Sequence, residues 1–146
     1  MGVLRKLPLH RWHEERGASF EPLWGWRVPA LYRAEPAELA TLEGGAALLD
    51  RSPFDRLEIL GEDRARFLNG LVTCSLEELE PGRGTYGFLT LRKGQVLADV
   101  VIWVLEDRFY LDLPPGRARA VSEHLLQYKV ADRVEVLPLD ELIPLA

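Results

Sequence analysis

From Asp55 to Leu137 the hydrophobic pattern switches repeatedly between a period of two and a period near 3.6, which limits the fold more than any single motif does. Asp55 to Leu60 (DRLEIL) sets Leu57 and Ile59 on one face, as a strand does. Gly61-Glu62-Asp63 then opens a helix, with acids in its first turn and Phe67, Leu68 and Leu71 facing inward. Ser75 to Leu79 (SLEEL) has the S-x-x-E form of a capping box and predicts a short turn of helix. Gly84 to Leu91 and Gln95 to Leu105 are β-rich, joined at Arg92-Lys93-Gly94 by a hairpin turn. Phe109 to Leu113 follows a tight turn at Glu106-Asp107. Pro114-Pro115 start a helix to about Val130, with Val121, Leu125 and Tyr128 on its apolar face. Arg133 to Leu137 is the last strand.

The order from Asp50 is therefore β-α-β-β-β-α-β. It predicts an α+β fold: an antiparallel (mixed) sheet with two or more helices packed on one face, related to split βαβ folds. No linker is long enough to separate independent domains, so a single domain over 1–146 is expected. Within it, 1–50 form an arm with short helices, 51–137 the core and 138–146 a tail. In the arm, Leu7 to Arg16 predicts a short helix with Pro8 in its first turn and Gly17 just past its end. Phe20 to Tyr32 (FEPLWGWRVPALY) is too broken for a long helix and reads as an extended arm whose aromatics pack onto something. From Glu35, the residues Pro36, Leu39 and Leu42 suit a helix ended at Gly44-Gly45.

A chain of 146 residues buries about 68–70% of its unfolded surface and holds a core without staples. The lone cysteine, Cys74, excludes an internal disulfide framework and any thiolate-rich metal site. The net charge of −5 argues against nucleic acid as the main partner. No apolar run reaches bilayer-spanning length and no signal-peptide core is present, so a soluble cytoplasmic protein is expected, with no membrane partner.

A scan for chemistry ends without a catalytic set. His10 and His13 share a helical face, but no metal-ligand spacing accompanies them; they read as two surface histidines beside Trp12, and no metal site is expected. Ser52 and His124 lack a nucleophile elbow. Cys74 reads as a half-buried thiol, and Gly82-Arg83-Gly84 as a turn. Arg117 and Arg119 fall in the first turn of the last helix, where they meet the positive helix end unfavourably unless an anion also binds, so they are the candidate anion site.

Joint spacing says more. Gly17-Ala18, Leu23, Gly25-Trp26, Pro29 and Tyr32 stand as G-A-x(4)-[F/L]-x-G-W-x-x-P-x-x-Y. Glu38, Ala46, Asp50 and Ser52 continue the pattern, followed by Phe67-Leu68, Leu71 and Thr73. LEPGRGTY (79–86) and the hairpin from Gly94 to Asp99 complete it. Across roughly residues 10–130 this resembles the glycine-cleavage T-protein (aminomethyltransferase) superfamily. Lys93-Gly94-Gln95 is similar to the turn of its folate-binding iron–sulfur-maintenance branch.

The resemblance implies a T-protein folate-binding-domain-like fold and tetrahydrofolate as cofactor, with Tyr86, Asp99, Trp24 and Trp26 as the candidate binding residues. It implies no full catalytic set. The first Asp of the family's D-D pair is Ala98 here, and only Asp99 remains; alanine holds neither proton nor charge. Leu91, Glu43 and Pro53 also replace family residues, and the family's later segments, with the glutamate that grips the pterin, do not follow. Three readings stand. One is a small folate-binding protein in one-carbon or iron–sulfur-related metabolism, without full activity. Another is a subunit of a split aminomethyltransferase or sarcosine-oxidase-like enzyme. The third is a structural or interaction protein that kept the fold. Pairing with a copy of itself, as a homodimer, or with a partner subunit would rebuild a cleft.

Overall fold

The computed structural model describes residues 3–32, 40–41 and 43–139. The described residues group into two compact units that divide between Pro53 and Phe54.

The first unit holds β1 (Arg5–Lys6), α1 (His10–Glu15), β2 (Ser19–Leu23) and β3 (Trp26–Leu31). Gly17 ends α1 as expected: with φ at 76° its N–H reaches Glu14 O, and Ala18 N–H reaches His13 O, the paired bonds of a Schellman cap. The broken stretch that followed is a β-hairpin. Leu23 pairs with Trp26, and the turn between them has Trp24 at φ 52° and Gly25 at φ 80°, the type I′ geometry that suits strand twist. The expectation of a bare extended arm is thus corrected to two paired strands, with β1 added in parallel to β3. Both prolines fit this ladder. Arg5 N–H bonds to Gly25 O, so by alternation the backbone of Pro29 faces β1's side, beyond the end of that two-residue strand. Pro22 stands opposite Arg27 and turns its missing N–H to the sheet edge. Of the expected helix from Glu35, residues 40–41 and 43–44 are helical; its start, and the tail from 140, lie outside the described residues.

The second unit runs β4 (Asp55–Leu60), α2 (Arg64–Asn69), β5 (Gly84–Thr90), β6 (Val96–Val104), β7 (Arg108–Leu113), α3 (Ala118–Tyr128) and β8 (Glu135–Pro138). The strands form one sheet in the order β5-β6-β7-β4-β8, every pair antiparallel. One face carries Leu57, Ile59, Leu89, Ala98, Val100, Ile102, Val104, Phe109, Leu111 and Leu113 into a single core with Phe67 and Leu68 of α2 and Val121 and Leu125 of α3. The predicted sheet with two helices on one face is therefore what this unit builds.

The β5–β6 turn is a three-residue loop: Gly94 N–H bonds to Leu91 O, and Gly94 takes φ 79° to rejoin the ladder at Leu91 N–H to Gln95 O. Two boundaries move. Pro114 to Arg117 form a turn rather than the first helical turn, with Arg117 N–H on Pro114 O, and Tyr128 lies exposed rather than in the core. Residues 75–79 are a turn, not a helix, and Leu76 N–H bonds to the Asn69 side chain at 2.9 Å.

Candidate functional site

The face of the second unit's sheet turned away from α2 and α3 is built by strand alternation. Tyr86 and Phe88 of β5, Asp99, Val101 and Trp103 of β6, Asp112 of β7, and Arg56 and Glu58 of β4 share it. Tyr86, Val101, Asp112 and Arg56 stand opposite one another across four strands. This face brings together two of the residues singled out from sequence, Tyr86 and Asp99, with the phenol 3.5 Å from Asp99 Oδ2. Desolvation, followed by the negative charge of Asp99, pushes the Tyr86 phenol above its ordinary pKa. Tyr86 is 56% exposed and packs edge-on against Phe88, with centroids 5.5 Å apart.

The other charges on this face have cations. Arg56 Nε donates to Asp112 Oδ1 at 2.7 Å, and Trp103 Nε1 approaches Asp112 Oδ2 at 3.3 Å. Arg108 is shared by Glu58 and Asp107, and the bond to Asp107 contributes most to holding its guanidinium protonated. Among the described residues Asp99 has no salt bridge. Ala98, where the family carries its first aspartate, points to the opposite face and is 4% exposed within the core. The alternation of β6 therefore separates positions 98 and 99 completely: one is packing, the other faces outward.

Trp24 and Trp26 belong to the first unit. Trp24 is exposed at the hairpin tip, and Trp26 carries the Arg5 guanidinium 3.9 Å above its ring. The same unit contains a polar network that no spacing in the sequence announced. His13 Nε2–H donates to Asp50 Oδ2 at 3.0 Å, and its Nδ1 meets the Tyr32 hydroxyl. A carboxylate oxygen only accepts, so a proton sits on Nε2, and Nδ1 faces a hydroxyl that can donate or accept. Asp50 Oδ1 is held by Ser52, through its backbone N–H at 2.9 Å and its hydroxyl. Ser52 is thus an orienting donor. The two histidines expected at the surface are both buried, at 4% exposure each. His10 stacks at 4.3 Å on Phe20, with its Nε2 3.2 Å from the Glu14 carboxylate but outside hydrogen-bonding geometry. The cause is the β-hairpin, which supplies a cover that the arm reading did not contain.

Arg117 is the N-cap of α3, and Arg119 donates to Glu123 one turn on, at 2.8 Å. The anion that this helix start favours comes from within the unit: Asp55 Oδ2 accepts from Ala118 N–H at 2.7 Å. His124 is buried in α3 and meets Tyr128 edge-on at 5.0 Å. Cys74 packs against Gly87, where an added Cβ would stand 2.7 Å from its Sγ. An open cleft lined by Leu60, Gly61, Lys129 and 132–135 lies by β8, at the sheet end opposite β5. Among the described residues no group of three or more His, Cys, Asp or Glu is arranged to hold a metal ion, and no helix is long and apolar enough to cross a membrane.

Comparison with known proteins agrees with this architecture. A probable aminomethyltransferase of Halobacterium salinarum is 35% identical over 100 residues, which cover 68% of this chain and 28% of that protein. Sarcosine oxidase subunit alpha of a Corynebacterium strain is 31% identical over 133 residues, 85% of this chain and 14% of that one. The crystal structure of glycine cleavage system aminomethyltransferase T from Bartonella henselae superposes with a TM-score of 0.78 at 28% identity, over 94% of this chain and 38% of that chain. This chain thus spans well under half the length of each of these three proteins. Residues 9–143 match the GCVT N-terminal domain, and with that match the chain belongs to the glycine-cleavage T-protein family.

Proposed function

We propose that this chain binds a tetrahydrofolate-type small molecule on the outward face of its five-stranded sheet, with Asp99 and Tyr86 as the anchoring side chains. The observation that carries the reading is Asp99: a partly buried carboxylate with no salt bridge among the described residues, set beside a phenol on an aromatic face. A pterin is a flat ring with N–H donors along one edge, and a carboxylate bordered by aromatic surface suits both properties. Tetrahydrofolate, when bound, supplies the nitrogen that carries a one-carbon unit. Asp99 would accept from the heterocycle, and Tyr86 would wall it.

Aminomethyl transfer itself is weak or absent in this reading. Position 98 is alanine on the core face, so no carboxylate stands there to manage a proton. The setting we assign is one-carbon or iron–sulfur-related metabolism. A reduced folate at 100 times its Kd should add about 2.7 kcal/mol of stability, raising Tm by roughly 5–10 °C at this size. Asp99→Asn should remove most of that shift. No shift with saturating tetrahydrofolate would end the proposal.

A second reading is supported by the match to sarcosine oxidase subunit alpha, in which a homologous segment is a small part of a protein named as a subunit. Here the chain would work with a partner subunit or a second copy of itself. Co-purification of a partner, or a dimer mass in solution, favours it; a lone monomer with full folate affinity counts against it.

A further inference from the structure

We infer that Trp103 is the stacking platform of the ligand site, an inference that rests on the folate-type reading above. Val101 lies half-buried at the centre of this part of the outward face. Tyr86 and Asp112 stand opposite it on the neighbouring strands, and Asp99 and Trp103 lie two residues to either side along β6. Two rings, Tyr86 and Trp103, and two carboxylates, Asp112 and Asp99, thus stand around one aliphatic side chain. That arrangement fits a flat nitrogen heterocycle lying on a ring while its edge N–H groups meet a carboxylate.

Two features hold Trp103 ready for this role. Gly84 faces it across the ladder, and a Cβ on Gly84 would stand 2.7 Å from the indole ring. The indole therefore lies over bare backbone, a pose that only glycine permits. Its Nε1 is directed to Asp112, whose other oxygen is fixed by Arg56. The ring is held at one edge yet remains 45% exposed, and it spends none of that surface on a cation among the described residues. Asp112 is occupied by Arg56 and Trp103, which leaves Asp99 as the carboxylate that meets the ligand.

The test is calorimetric titration of the full chain with tetrahydrofolate and with a reduced pterin lacking the aminobenzoyl tail. Trp103→Leu should weaken both ligands by about tenfold or more, the usual loss on removing an aromatic stacking partner. Trp103→Phe should recover part of the loss. Gly84→Ala should weaken both ligands with Trp103 still present, because the new Cβ displaces the ring. Melting curves of the three variants check that the fold is intact. Wild-type affinity in Trp103→Leu overturns this inference alone, since ligand binding survives. Absence of binding by the wild-type chain overturns the folate-type reading and this inference together.

Discussion

The two units are held by different forces. The second buries a continuous apolar core, with Leu57, Ile59, Ile102, Leu111, Val121 and Leu125 almost fully removed from water. The first buries Leu7 together with His10, His13 and Asp50, and its strands show most of their side chains to solvent. Apolar burial is non-directional and sums over area, so a core of that kind tolerates small losses of geometry. A buried imidazole–carboxylate pair does not. It contributes little net stability when complete, and costs much when one partner is removed. The first unit should therefore be the more brittle per substitution relative to what it buries, and the second the larger reservoir of stability.

The largest expected effect tests that reservoir. Leu111→Ala should destabilise the protein by about 2–5 kcal/mol, seen as a lower denaturation midpoint by circular dichroism. A loss below about 1 kcal/mol would mean that the core is loosely packed at this site. Next, Asp50→Ala strands the His13 N–H and should cost about 1–3 kcal/mol. Three of the four tryptophans, Trp12, Trp24 and Trp26, lie in the first unit. In a Trp103→Phe background their fluorescence follows that unit, and it should change while the sheet's far-ultraviolet signal holds. Equal response of both signals would abolish the contrast between the units.

Gly25→Ala isolates the turn itself. No atom stands within 4 Å of the added Cβ, so only the left-handed backbone at φ 80° opposes it. The cost should be about 1–2 kcal/mol, read as a lower Tm; no change would argue against the I′ turn.

The smallest effect is electrostatic. The Arg133 backbone N–H bonds Asp63, and Arg66 pairs with it, so its carboxyl is held below the usual carboxylate range. Stability from this group is present above that range and lost as pH falls through the lowered folded value. Asp63→Asn should therefore flatten the acid limb of a urea-midpoint profile and leave the profile's neutral-to-alkaline shape alone.

Much of the second unit was legible because its signals are local. Alternation in Val96 to Val104 defines two faces without any tertiary knowledge, and Lys93-Gly94 marks the turn that returns the chain. The same alternation assigns Trp103 to Asp99's face, so that placement too was legible from pattern alone. The first unit was harder. Its hairpin turn begins with a tryptophan in a left-handed conformation where asparagine or aspartate is the usual signal, and prolines interrupt both strands. The SLEEL segment misled in the opposite way: it carries a local capping pattern, yet the chain makes only a turn there, with Leu76 N–H on the Asn69 side chain.

Sequence alone determined the β-α-β-β-β-α-β order, the inward and outward faces of each strand and membership of the T-protein family, because periodicity and ordered spacing are properties of neighbours along the chain. Tertiary structure decided that His13, Tyr32 and Asp50 meet, that Trp103 lies on Gly84 and that Asp112 is occupied by Arg56. Those contacts join residues 19 to 56 positions apart, and hydrogen bonds and ring packing depend on distances that only the folded backbone sets.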